Sequence, residues 1–86
     1  MNYSQEAKSI ETLEMESIML HFRESINDLR GHDYKNMTLT QAIKISAGYI
    51  LASHTKEMMI LAIKNDPRLQ RMNKTNSYLR AVKNMC

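Results

Sequence analysis

Three histidines and one cysteine are the side chains best suited to metal or nucleophile chemistry: His21, His32, His54 and Cys86. Two metal ligands on one face of a helix stand three or four residues apart, and no pair in this set has that spacing. The sequence also contains no glycine-rich phosphate-binding loop. We therefore expect no catalytic residues, no metal and no other cofactor, and we expect that the protein is not an enzyme.

His54 is placed four residues after Ile50 and four before Met58, within an apolar series at helical spacing. We interpret it as a hydrogen-bonded core or interface histidine rather than a ligand. A charge at a buried position is costly, so His54→Lys is expected to destabilise the fold.

The pattern with the clearest functional meaning is a run of bases without an acid. From Pro67 to Cys86 there are five bases, no acid and one tyrosine. Lysine and arginine neutralise phosphates with release of counterions, and a tyrosine ring stacks on an unpaired base. The sequence predicts RNA binding here, through Arg68, Arg71, Lys74, Tyr78, Arg80 and Lys83. Two alternatives stay open, a solvated face and ion pairs with the glutamates of the first helix (Glu11, Glu14, Glu16 and Glu24).

The charge is divided unevenly along the chain. Residues 1–33 carry seven acids and three bases, a balance of −4, whereas residues 34–86 carry two acids and nine bases, a balance of +7. Such a division favours either self-complementarity or a polyanionic partner, namely RNA or another polyanion.

The first predicted helix covers about residues 5–30. Ser4 can cap its N-terminus by accepting a hydrogen bond from a free backbone N–H. Gly31 suits the position just after the helix, where a left-handed residue ends it at little cost. Ile10, Leu13 and Leu20 form a narrow apolar face beside the main stripe.

The second predicted helix covers about residues 39–65. Thr38 and Gln41 have the spacing of a capping box, and Pro67 disfavours helical backbone at Asp66. Apolar residues lie on two sides of this helix, and each side must be covered. We therefore predict a homo-oligomer, with the interface residues Tyr49, Met59, Ile60 and Ile63. The apolar stripe runs through Gly48 without a phase change, so we do not expect a DNA-binding helix-turn-helix over residues 38–61.

The basic segment, residues 67–86, begins with Asp66 as N-cap and Pro67 at the first helical position. The stretch from Asn73 to Ser77 is a poor helix former, which favours two short helices with Asn76 or Ser77 capping the second. The prediction for residues 1–86 is a single all-α domain. It consists of a long antiparallel helical hairpin and a basic C-terminal helical segment, and it is oligomeric.

The composition agrees with a helical protein of the cytoplasm. Its 86 residues include only two glycines and one proline, but eight methionines. A single cysteine indicates a reducing compartment. The charges of Glu6, Lys8 and Glu11 do not fit a signal peptide. The longest uncharged run, between Lys44 and Lys56, is too short to cross a bilayer, so no membrane insertion is expected.

In general composition, including the stretches Asn73-Lys74-Thr75-Asn76 and Lys83-Asn84-Met85, the chain resembles the small accessory proteins of T-even-type bacteriophages. These are cytosolic, often helical proteins that disable or redirect a host factor. In size and charge the chain is most similar to their RNA-binding inhibitors of toxin–antitoxin ribonucleases. The resemblance implies an RNA-binding inhibitor of a host defence factor or toxin. The alternative is a pure protein-binding regulator that binds a host or phage protein through its apolar helix faces.

Overall fold

The first helix, α1, begins at a serine that caps it. The structure, a computed structural model, describes residues 8–33 and 36–85. Helix α1 spans Ile10–Asp28, and the Ser9 hydroxyl accepts a hydrogen bond from the Thr12 backbone N–H at 3.0 Å. The helix therefore begins later than predicted, and the predicted cap, Ser4, lies outside the described residues.

A π-helical turn, Leu29–Asp33, follows α1 directly. Gly31 lies inside this turn, and no described glycine has a positive φ. The predicted left-handed glycine cap is therefore wrong, because the chain widens into a π turn instead of reversing at Gly31.

Helix α2 spans Leu39–Leu51 and begins with the predicted capping box. The Thr38 hydroxyl accepts from the Gln41 backbone N–H at 3.2 Å, and the Gln41 side-chain oxygen accepts from the Thr38 N–H at 3.1 Å. Two backbone donors that the helix itself leaves free are thus satisfied.

The second predicted helix is not continuous. It is interrupted by a turn, residues 52–55, after which α3 spans Lys56–Lys64. Thr55 caps α3 by accepting from the Met58 N–H at 3.1 Å, which shows how a hydroxyl residue starts a new helix inside an apolar series. The prediction of one helix over 39–65 is therefore wrong.

The turn changes the helical phase of the buried residues. Helix α2 buries Ala47 and Ile50, and a continuous helix would next bury residues 54, 57 and 61. Helix α3 instead buries Met59, Ala62 and Ile63. The helix does continue through Gly48, but the phase changes at residues 52–55, so a helix-turn-helix over residues 38–61 is no longer excluded by an unbroken apolar stripe.

The basic segment forms two short helices, as predicted. Helix α4 spans Pro67–Arg71, with Asp66 as N-cap and Pro67 at its start, and α5 spans Thr75–Lys83. The N-cap of α5 is Lys74, so neither Asn76 nor Ser77 caps it. Asn73 lies in the left-handed region with φ of 55°, and the Lys74 N–H donates to the Leu69 carbonyl at 2.9 Å. This pairing closes the end of α4.

The core lies between α1, α2, α3 and α5. Helix α1 packs against α2 and α3, and α5 packs against the same two helices. The Phe22 ring of α1 meets the Tyr78 ring of α5 edge to face, with centroids 5.4 Å apart. Where α1 meets α2, the Ser46 hydroxyl donates to Ser25 Oγ at 2.7 Å, so the buried Ser46 is paired.

Within residues 8–33 and 36–85 every regular element is helical, which confirms the predicted all-α class. The hairpin is modified, since α2 and α3 take the place of one long second helix. Across the same residues, no helix combines the length and the hydropathy needed to pass through a bilayer.

Candidate nucleic-acid interface

Helix α5 presents one polar face to solvent. Its opposite face is buried in the core, through Tyr78, Leu79, Ala81 and Val82. At about 100° per residue, the exposed residues fall on an arc of about 120°. All of them can form hydrogen bonds and none is acidic: Asn76, Ser77, Arg80, Lys83 and Asn84.

Helix α4 and the following turn carry the other three bases. Arg68 and Arg71 are exposed and stand three residues apart, which places them on one side of the short helix. Lys74 is half-buried in the turn before α5. We call the five bases Arg68, Arg71, Lys74, Arg80 and Lys83 the basic surface.

The basic surface takes no part in the ion pairs of the described chain. Two such pairs occur among residues 8–33 and 36–85, Lys8 with Glu16 and Arg23 with Asp66, and the His54 ring also contacts the Glu14 carboxylate. Two of the four glutamates considered as partners for the basic segment are therefore paired elsewhere. No intramolecular ion pair in this part of the chain neutralises the five bases.

Tyr78 does not belong to this surface. Its side chain is only 6% exposed and packs against Phe22, so the predicted base-stacking role is wrong. The position falls on the apolar side of α5, between the buried residues Leu79 and Val82. Burial, reinforced by the nearby charge of Asp66, raises the pKa of the Tyr78 phenol above its ordinary value of 10.0.

Lys56 holds the end of α5 in place. Its ammonium donates to the backbone carbonyl of Met85 at 2.6 Å and to that of Lys83 at 3.2 Å. A cation at this position satisfies terminal carbonyls and interacts favourably with the negative end of the helix dipole. Lys56 thus positions α5 from the first turn of α3.

A groove lies between α1 and the α3–α4 junction. It has a volume of about 510 Å³, and Met15, Met19 and Leu20 of α1 contribute apolar lining. Arg68 and Arg71 lie on its other side. Leu20 is 49% exposed and belongs to the apolar face of α1 that also carries Leu13 and Ile10. The periodicity of the sequence predicted this apolar face. It could not predict the groove, because the groove depends on the position of α4 relative to α1.

The predicted oligomer interface is only partly at the surface. Met59 and Ile63 have no exposed area in the single chain, because α1 and α5 cover α3 on both sides, and both residues belong to the core instead. Ile60 is half-buried. Tyr49 is 62% exposed and lines a second pocket of about 360 Å³ with residues of α1 that include Glu24 and Asp28.

His54 lies in the turn between α2 and α3 rather than in a helix. Its side chain is 23% exposed, and its ring Nδ1 lies 3.2 Å from Glu14 Oε2. In the described part of the chain no three His, Cys, Asp or Glu residues gather as a metal site would require. His54 therefore serves as a contact between α1 and the turn, through Glu14.

Comparison with known proteins adds no further assignment: the chain matches no protein-family model, no curated protein and no solved structure.

Proposed function

We propose that this protein is a non-enzymatic nucleic-acid-binding protein whose contact region is the basic surface of α4 and α5. The observation that supports it is that the five bases are accessible to solvent and form no ion pair with the described residues. Four are exposed, one is half-buried, and none of them takes part in the ion pairs of the described chain or in the contact between His54 and Glu14. Cations that form no ion pair with the described residues are available to phosphates.

RNA is the ligand class that the sequence predicted, and the salt dependence of binding tests the electrostatic part of the proposal. Each phosphate neutralised on a single strand lowers the slope of log affinity against log salt by about 0.7. Binding through all five bases therefore gives a slope of about −3.5.

A double charge reversal tests the site. Arg71→Glu with Arg80→Glu should reduce RNA affinity by about a hundredfold or more, measured by fluorescence anisotropy with a labelled single strand of mixed sequence. The matched control is Lys44→Glu with Lys64→Glu, which makes the same charge change at exposed positions of α2 and α3. Equal losses in both variants would show that net charge, rather than this surface, governs binding.

The biological role we propose is inhibition of a host defence factor or toxin, on the basis of the resemblance to phage accessory proteins. Growth of a bacterial host under expression of a toxin ribonuclease tests it. Co-expression of this chain should restore growth, and the Arg71→Glu, Arg80→Glu variant should not.

The groove between α1 and α4 favours a second candidate, a protein-binding regulator. Its apolar lining continues into the exposed Leu20, and it is bordered by Arg68 and Arg71, which form no ion pair with the described residues. These features fit a partner helix with an apolar face flanked by acids. Capture from ribonuclease-treated host lysate should then be lost with Leu20→Arg and persist at high salt, because apolar contacts are not screened.

A further inference from the structure

Among the described residues, no exposed aromatic ring lies on the basic surface, and this bears on which class of nucleic acid can bind there. Sequence-tolerant and sequence-specific binding of single strands both rely on aromatic side chains under unpaired bases. Tyr78 of α5 is buried. Tyr49 is exposed on α2, but beside Glu24 and Asp28, whose charges repel phosphates. Among the described residues, cations and stacking rings are therefore not combined on one surface.

The exposed face of α5 instead carries the chemistry that reads base edges in a duplex. Asparagine forms two hydrogen bonds with adenine, arginine forms two with guanine, and serine bonds to either partner of a pair. Asn76, Ser77 and Arg80 supply one of each within the first two turns of α5. Lys83 and Asn84 continue the same face to the end of the helix.

A short turn connects α5 to α4. The two helices are joined by three residues, Met72–Lys74, and the left-handed backbone of Asn73 makes the turn. A short helix, a tight turn and a second helix with polar exposed residues are the elements of a motif whose second helix enters a groove while the first crosses the backbone. Arg68 and Arg71 then lie on the helix that meets the phosphates.

Helix α3 does not offer the same chemistry, although it too follows a turn. Its residues Met59, Ala62 and Ile63 are buried between α1 and α5. Lys56 is engaged with the carbonyls of α5, and the exposed positions include the acidic Glu57 and the apolar Leu61.

We infer that the ligand of the basic surface is B-form duplex DNA, with the polar face of α5 in the major groove and Arg68 and Arg71 on flanking phosphates. The inference rests on the proposed nucleic-acid-binding function and specifies its substrate class. The major groove of B-DNA is about 12 Å wide and admits an α-helix, whereas that of A-form RNA is too deep and narrow for side-chain readout. The nine residues of α5 extend about 13.5 Å, enough to follow a few base pairs.

Four labelled ligands of identical sequence test the inference: a DNA duplex, an RNA duplex and the two corresponding single strands. The sequence is first selected by the full chain from a randomised DNA duplex pool. The DNA duplex should bind at least about tenfold more tightly than each of the other three. Equal or tighter binding of single-stranded RNA, or a pool that yields no preferred sequence, would overturn the duplex assignment while the proposed function stands. Failure of all four ligands to bind would overturn both.

A neutral variant separates base reading from charge. Asn76→Ala with Ser77→Ala alters no charge, removes no buried contact and favours the helix, so the chain remains folded. The variant should lose about tenfold or more in affinity for the selected duplex and keep its affinity for a random duplex. Its matched control, Ser17→Ala with Asn27→Ala at exposed positions of α1, should bind both duplexes like the parent. Unchanged affinity of the α5 variant for the selected duplex would mean that α5 reads no bases.

Discussion

Arg23 of α1 and Asp66, the residue before α4, form an ion pair with 3.2 Å between the guanidinium Nη1 and the carboxylate Oδ2. The Asp66 side chain is 7% exposed, and that of Arg23 is 28% exposed. Asp66 occupies the N-cap position of α4 but makes no capping hydrogen bond with its side chain. The carboxylate thus anchors the start of α4 to α1, across 43 residues of sequence.

Removal of the charge from Asp66 should destabilise the fold. Asp66→Asn leaves the guanidinium without its anion in a partly buried place, so the free energy of unfolding should fall by about 1–3 kcal/mol in a urea titration. The control is Glu16→Gln, which breaks the exposed pair with Lys8 and should cost about 0.5 kcal/mol or less. Equal effects of the two substitutions would contradict the anchoring role of Asp66.

Tyr78 should make stability depend on alkaline pH. Its pKa is raised by burial and by Asp66, so the folded state holds the phenolic proton more tightly than the unfolded state does. This contribution is fully present below the unfolded pKa of about 10 and is lost as the pH rises through the higher folded pKa. Thermal melts above pH 10 should therefore show a steeper loss of stability for the parent than for Tyr78→Phe, which keeps the ring against Phe22. Tyr49→Phe, at an exposed position, should retain the parent's profile.

Asn73 should tolerate glycine but not a β-branched residue. At φ of 55° a Cβ is strained, and asparagine is among the few residues that adopt this backbone readily. Asn73→Val should lower the free energy of unfolding by about 1–2 kcal/mol, whereas Asn73→Gly should be neutral or slightly stabilising. Asn84→Val, where φ is −82°, provides the comparison. A loss at residue 84 as large as that at residue 73 would show that backbone strain is not the cause.

His54→Lys should now be tolerated, contrary to the expectation from the sequence. A lysine ammonium at this half-buried turn can remain hydrated and can pair with Glu14, so stability should change by less than about 1 kcal/mol. Ile50→Lys, one turn earlier at a position 7% exposed, should cost several kcal/mol because its charge has no route to water. Chemical denaturation of both variants checks the difference, and severe destabilisation by His54→Lys would restore the original interpretation.

Helix starts were predictable from local chemistry where a side chain caps the backbone. Thr38 with Gln41 and Asp66 with Pro67 lie where the residue types require, because a cap depends only on residues three or four apart. Thr55 caps α3 by the same kind of hydrogen bond, but the apolar residues on both sides of it continue at helical spacing, so the start of a new helix was not predicted. The spacing of Ile50, His54 and Met58 is that of one continuous helix, although Ile50 belongs to α2, His54 to the turn and Met58 to α3.

The candidate site was predictable in charge but not in detail. The exposure of Arg68, Arg71, Arg80 and Lys83 agrees with a run of bases that has no acid to pair with locally. The burial of Tyr78 was not predictable from that run, since it depends on Phe22, which is 56 residues earlier and on another helix. The covering of Met59 and Ile63 likewise depends on where α5 packs.

The turn between α2 and α3 makes this part of the chain sensitive to length as well as to the cap at Thr55. If the turn kept its path, loss of one residue from positions 52–55 would shift the sequence of α3 by one helical position, which turns its side chains by about 100° about the helix axis. That rotation would move Met59 and Ile63 out of the core and bring polar or charged neighbours inward. Most surface connections accept insertions and deletions, whereas here a change of length would displace core residues, so homologues should vary at positions 52 and 53 but not in the number of turn residues.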